Sequence, residues 1–335
     1  MSLSRHLPGS RRAVAVASSG FASPPSSTSS QTPPPSSLSN SNPNSSTPPT
    51  SLQSRSFAAQ QSTRNQDILK QLPPKHHTCK MSTMPAQHGH SEACCNIPPV
   101  VAKDYAAKGT YEELGGYKSY VTGPKQATKG IITIFDIFGF YPQTLQGADI
   151  LATSDRSQQY RVFIPDWFHG EPAPLEWFPP DTEDKQKNLA AFFQKNSPPS
   201  VAAKVPDYVA VVKAKYPEIK SWAILGFCWG GKVVSLVLSQ PDTVFRAGVE
   251  AHPAMVDPAD AEKIKVPLAL LASKDEPPED VKKFEQNLKV PKHVEIFGDQ
   301  IHGWMAARSD LENERVRAEY IRGYETVLKF LSKYV

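Results

Sequence analysis

Long apolar runs are absent from this 335-residue chain. Spanning a bilayer as a helix takes about 18 or more consecutive apolar residues, so no membrane-crossing helix is expected. Cysteine is scarce as well, confined to Cys79, Cys94, Cys95 and Cys228. The adjacent Cys94 and Cys95 cannot easily bridge each other, and a chain of this size does not depend on a disulfide framework, so reduced thiols are expected. Acidic residues are missing altogether before Asp67. Up to Lys80 eight basic residues face that single aspartate, for a net charge of +7, while the whole chain carries +4, which leaves −3 on residues 81–335. The basic balance therefore belongs to a leader and not to a folded face that could track phosphates, which argues against a nucleic-acid partner.

The leader also has little that could build a core. It is dominated by Ser, Pro, Thr, Asn and Gln, with Pro33-Pro34-Pro35 as an example, and such a segment cannot bury enough apolar surface to offset its ordering entropy. Residues 1–90 are accordingly expected to be a disordered, low-complexity leader, and 91–335 a single folded domain. Early arginines, abundant serine and missing acids are the composition of an organellar transit peptide, and Arg55-Ser56-Phe57-Ala58 resembles an arginine-directed processing site; a mitochondrial address is expected. If translation starts at Met81 or Met84 the expectation becomes cytoplasmic. His76, His77, Cys79, His88, His90, Cys94 and Cys95 lie close together, but their spacing matches no paired zinc motif, so neither a metal site nor a cofactor is expected.

From about residue 109 the composition turns to that of a folded domain. Tyr111 to Leu114, Gly115-Gly116 and Tyr117 to Val121 read as a β-hairpin with a glycine turn. Strands are expected at Gly130 to Phe135, Tyr160 to Ile164, Trp222 to Phe227, Ala247 to Ala251, Val266 to Ala272 and His293 to Phe297. Helices are expected near Gln143 to Gln158, Lys185 to Gln194, Ala202 to Lys215, Lys232 to Gln240, Glu279 to Leu288 and Asp310 to Ser332. Continuous apolar strands alternating with amphipathic helices imply an α/β fold, a mainly parallel sheet with helices on both faces. Chemistry in such folds sits beyond the carboxyl ends of the strands.

One strand ends in Gly226-Phe227-Cys228-Trp229-Gly230-Gly231 and runs into a helix-length segment. This is the form of a nucleophile elbow, with cysteine where serine is commoner; the glycines let strand and helix approach closely around a strained nucleophile. Asp275 follows the next long strand and His302 the last one, so nucleophile, acid and histidine occur in the chain order of α/β-hydrolases. Cys228 as nucleophile, His302 as base and Asp275 as orienting acid are the expected triad. The amide of Trp229, directly after the nucleophile, is the first expected oxyanion donor.

These motifs, with Phe135-Asp136-Ile137-Phe138-Gly139, Pro165-Asp166-Trp167-Phe168 and His302-Gly303, resemble the dienelactone hydrolase family, including carboxymethylenebutenolidase-like proteins, over residues 91–335. The start at Ala93-Cys94-Cys95-Asn96-Ile97-Pro98-Pro99 looks like that of fungal members. The resemblance implies the α/β-hydrolase fold, a small lactone or ester substrate, and a second oxyanion donor at Ile137. It puts Asp136 where bacterial relatives carry a glutamate that holds the resting thiol, the other reading being a carboxylate that caps its own loop. Phe138, Trp304, Arg308 and His252 complete the candidates for contact with substrate or thiol, and Trp167, Phe168, Trp177 and Phe178 are candidates for the pocket mouth. Bacterial relatives hold a substrate carboxylate with two arginines; here Asp181 to Asn196 contains lysines only, and Arg308 comes two positions late. Alternatives are a thioesterase or general carboxylesterase on the same triad, and, from another class, a non-catalytic ligand-binding homologue or a thiol redox sensor with Cys94 or Cys95 as resolving thiol.

Overall fold

The computed structural model describes residues 102–155 and 157–335. The leader, its processing site, the His/Cys cluster and Cys79, Cys94 and Cys95 lie outside these residues. Eight strands form one sheet: β1 (Thr110–Leu114), β2 (Tyr117–Thr122), β3 (Lys129–Ile134), β4 (Tyr160–Pro165), β5 (Ser221–Phe227), β6 (Ala247–Ala251), β7 (Leu268–Ser273) and β8 (Lys292–Phe297), in the order β1-β2-β4-β3-β5-β6-β7-β8. β2 runs antiparallel to β1 and β4, and every pair from β4 to β8 is parallel. The hairpin turns on Gly115 and Gly116, at φ of +59° and +82°. Two successive positive φ values match the right-handed twist of a two-residue hairpin, and glycine supplies them without a steric penalty.

The helices are α1 (Pro142–Thr153), α2 (Glu183–Lys195), α3 (Pro198–Ala202), α4 (Val205–Lys215), α5 (Trp229–Leu238), α6 (Pro258–Ala261), α7 (Pro278–Asn287) and α8 (Glu314–Leu331). α1 and α8 pack together, while α3, α5, α6 and α7 form a second connected group. The central strands are buried along their whole length, as β3 to β7 show, because helices shield both faces from water. No helix among the described residues is long and apolar enough to cross a membrane.

Several boundaries differ from expectation for local reasons. The helix expected over 202–215 begins at Val205, Ala202 being instead the last residue of α3, because Pro206 has no N–H and its ring would collide with the carbonyl of Ala202 in a continuous helix. The first helix stops at Thr153, where the Asp155 carboxylate instead accepts from the amides of Ser157 and Gln158 at 2.9 and 3.0 Å. The last helix begins at Glu314 because Asn313 caps it, accepting from the amides of Arg315 and Val316.

One buried carboxylate secures the segment ahead of the hairpin. Asp149 on α1 accepts from Tyr105 Oη at 2.6 Å, the Lys108 amide at 2.9 Å, Tyr120 Oη at 2.8 Å and the Thr122 hydroxyl. Tyr120 Oη in turn accepts from the amide of Gly109 at 2.7 Å.

Candidate active site

The end of β5 and the start of α5 approach so closely that a side chain on Gly226 would strike the Gly230 carbonyl, and one on Gly230 the carbonyl of Ile134. Between them Cys228 takes φ 52° and ψ −117°, a conformation that costs a non-glycine residue about 1–3 kcal/mol. It leaves the thiol partly exposed at the carboxyl edge of the sheet. Trp229 anchors the other side of the turn, its indole Nε1 donating to the Asn196 carbonyl at 3.0 Å.

His302 meets this cysteine from the loop after β8, and its other nitrogen meets a carboxylate. Nδ1 lies 2.6 Å from Glu276 Oε1. The Glu276 side chain is 3% exposed, and its second oxygen accepts from the amide of Ser273. Asp275, the acid expected from the sequence, is exposed; its Oδ2 accepts from the backbone amide of His302 at 2.8 Å and does not reach the ring. The two neighbours thus divide the work, Glu276 orienting the imidazole and Asp275 holding the loop. Burial opposes a charged ring, but the Cys228 sulfur and then Glu276 outweigh it, and the His302 pKa is raised to about 10.

The loop after β3 is held from inside. Asp136, 1% exposed, accepts from the amide of Phe138 at 2.9 Å and from that of Ala307 at 3.1 Å. Both carboxylate oxygens are therefore engaged by backbone, and Asp136 acts as the cap of its loop. Burial raises its pKa to about 6 against the pull of those two amides. The Ile137 carbonyl accepts from the Ala173 amide at 2.8 Å, which turns the neighbouring peptide. The amides of Ile137 and Trp229 lie outside the strand ladders, at the carboxyl ends of β3 and β5.

The remaining candidates separate by burial. Trp304 is fully buried, 4.4 Å from Phe297 between ring centroids and set against Gly323 of α8, so it belongs to the core and not to a substrate surface. His252 is also fully buried and touches the ring of His302, not solvent. Trp167 and Phe168 are interior, whereas Trp177 and Phe178 are partly exposed. Phe138 is nearly buried and packs against Phe178 at 5.7 Å. Arg308 is partly exposed; one guanidinium N–H donates to the His302 carbonyl at 2.7 Å and the group lies 5.7 Å from the Phe178 ring. Sequence reasoning missed Glu276, since nothing in Asp275-Glu276 says which carboxylate turns inward.

The dienelactone hydrolase family model matches residues 117–335. The chain belongs to the dienelactone hydrolase family, and it is a hydrolase. An uncharacterized AIM2 family protein of Schizosaccharomyces pombe is 36% identical over 249 residues, covering 71% of this chain and 97% of that protein. A carboxymethylenebutenolidase homolog of Xenopus tropicalis is 29% identical over 261 residues, 73% of this chain and 99% of its own. Among solved structures, the dienelactone hydrolase of Anabaena variabilis superposes with a TM-score of 0.50 at 13% identity, covering 68% of this chain and 97% of that one. At that identity the likeness speaks for the α/β-hydrolase fold alone.

Proposed function

We propose that this dienelactone hydrolase family member cleaves a small carboxylic ester or lactone through a Cys228-His302-Glu276 triad. The observation that carries the reading is the pairing of an elbow cysteine in strained geometry with an imidazole whose far nitrogen is held by a buried carboxylate. That arrangement favours thiolate and imidazolium over two neutral groups.

The Cys228 thiolate attacks the carbonyl carbon, and the oxyanion is received by the amides of Ile137 and Trp229; one such donor is worth about 3–4 kcal/mol of barrier. As the carbon–oxygen bond of the ester breaks, the His302 imidazolium gives its proton to the departing alcohol oxygen. Neutral His302 then takes a proton from water, the hydroxide oxygen attacks the thioester carbonyl, and the carbon–sulfur bond breaks to return the thiolate beside an imidazolium. Glu276 orients the ring through both halves, fixing its tautomer while it is neutral and stabilising the imidazolium when it is charged.

The experiment is turnover of neutral lactones, aryl esters and thioesters by the full chain and by Cys228→Ala, with intact-mass detection of an acyl adduct. A Cys228-dependent adduct and a dead Cys228→Ala variant are expected; hydrolysis that persists in Cys228→Ala overturns the assignment. The rank order among the three substrate classes separates a lactonase or esterase from a thioesterase.

A further inference from the structure

Beneath the triad lies a segment that the proposed reaction does not use. Cys228 donates its amide to the Ala251 carbonyl at 3.1 Å, and the Ala254 amide donates to the Cys228 carbonyl at 2.9 Å, so residues 251–254 grip the nucleophile's backbone on both sides. His252 lies within this grip at φ +39°, its amide donating to the Leu271 carbonyl at 2.6 Å. Left-handed backbone at a residue that is not glycine costs about 1–3 kcal/mol and clusters at functional sites.

The ring is as unusual as the backbone. It is fully buried, stacked 5.7 Å from Phe227 and set edge-on 5.2 Å from His302. Neither ring nitrogen has a hydrogen-bond partner among the described residues. A buried polar atom without a protein partner costs about 1–3 kcal/mol, and a phenyl ring would fill a similar space without that cost. What imidazole has and phenyl lacks is a strong permanent dipole.

The charged groups facing the ring are His302 and Arg308, and its own backbone is the remaining polar neighbour. Burial first, then those two cations, hold its pKa well below the ordinary histidine range, so it is neutral. Its own backbone pulls the other way, toward a proton on the ring, and the cations favour a neutral tautomer whose lone pair is turned toward them.

We propose that His252 is a positioning residue acting through His302: its neutral dipole stabilises the imidazolium and thereby the Cys228 thiolate. The inference rests on the Cys228-His302 reading above. Its test reads thiolate formation directly and needs no substrate.

Alkylation of the full chain by iodoacetamide is followed against pH at the peptide containing Cys228, because the chain has three further cysteines, Cys79, Cys94 and Cys95. His252→Phe is expected to alkylate about tenfold more slowly at neutral pH, with its rising limb displaced upward, and to melt no lower than the parent. His252→Met, adaptable and apolar, gives the same reading if the phenyl ring is not tolerated. His252→Gln restores a neutral dipole and is expected to recover most of the reactivity. Parental alkylation in His252→Phe or His252→Met, or His252→Gln no faster than His252→Met, overturns the proposal. The underlying triad fails separately, by hydrolysis that survives Cys228→Ala or by an ordinary thiol limb near ~8.5 in the parent chain.

Discussion

Asp136 and Ala307, 171 positions apart, are joined by one hydrogen bond of 3.1 Å from the alanine amide to the aspartate carboxylate. Because the other oxygen takes the Phe138 amide, the loop that would receive the oxyanion and the loop that carries the histidine share one tether. Asp136→Asn would replace one acceptor by a donor facing a donor, losing an interaction worth about 1.5–3 kcal/mol. A fall in kcat of about tenfold or more is expected from it, with KM changing less, measured on a neutral aryl ester. The tether also has a pH signature. Burial lifts the folded-state pKa to about 6, so between the ordinary carboxylate range and that value the folded chain retains a proton the unfolded chain has lost. Stability falls as pH rises through this window. Thermal melts of Asp136→Asn should show a shallower fall there.

Glu276 and Asp275 are expected to separate cleanly on mutation. Removing the carboxylate from the imidazole by Glu276→Gln should lower kcat/KM by about a hundredfold to ten-thousandfold, as loss of an orienting acid does in other triads. Asp275→Ala, which loses only the contact to the His302 amide, should cost about tenfold or less. The reverse order of damage would return the orienting role to Asp275.

The raised pKa of His302, about 10, sets a pH dependence with a definite sign. In the proposed thiolate–imidazolium pair the folded site holds one proton, on the ring, and the unfolded chain also holds one, on the thiol, until the ordinary thiol range near ~8.5 is passed. Above that range the unfolded chain has released its proton while the folded ring keeps one, so the stabilisation is lost as pH rises toward about 10. Melting temperature is expected to decline over that upper interval, and less steeply in Glu276→Gln. Activity should follow on the alkaline side, because a deprotonated ring cannot give a proton to the leaving alcohol.

Arg308 is the cation nearest to a clamp for an anionic substrate, but part of its donor set is spent on the His302 carbonyl. Neutral lactones and esters are therefore expected to be turned over at least as well as carboxylate-bearing lactones. Arg308→Ala should slow both classes by loosening the histidine loop, a result read from kcat/KM on an acid and its methyl ester. A strong anion preference abolished by Arg308→Ala would establish Arg308 as the clamp.

The inner strands were legible because they are apolar over most of their length, a pattern no exposed segment tolerates, the hairpin because of its glycine pair, and the elbow because its glycines have one steric explanation. That Cys228 and His302 lie together followed from chain order. Which carboxylate meets the imidazole did not, since Asp275 and Glu276 both follow a strand and only the turn beneath them decides which one faces inward. Trp304 misled for a related reason: in sequence it stands two positions from His302, whereas its neighbours in space are Phe297 and Gly323. The four-residue helix α6 is shorter than two helical turns and left no periodicity to read.

Asp149 gathers four donors, and two of them, Tyr105 and Lys108, precede the hairpin. A chain trimmed to the 117–335 span of the family match would strip that carboxylate of both while leaving it interior to α1. The thermodynamic boundary of the domain therefore lies before Tyr105, ahead of the boundary that similarity draws. A protease probing the native protein should therefore spare the bonds between Tyr105 and the hairpin.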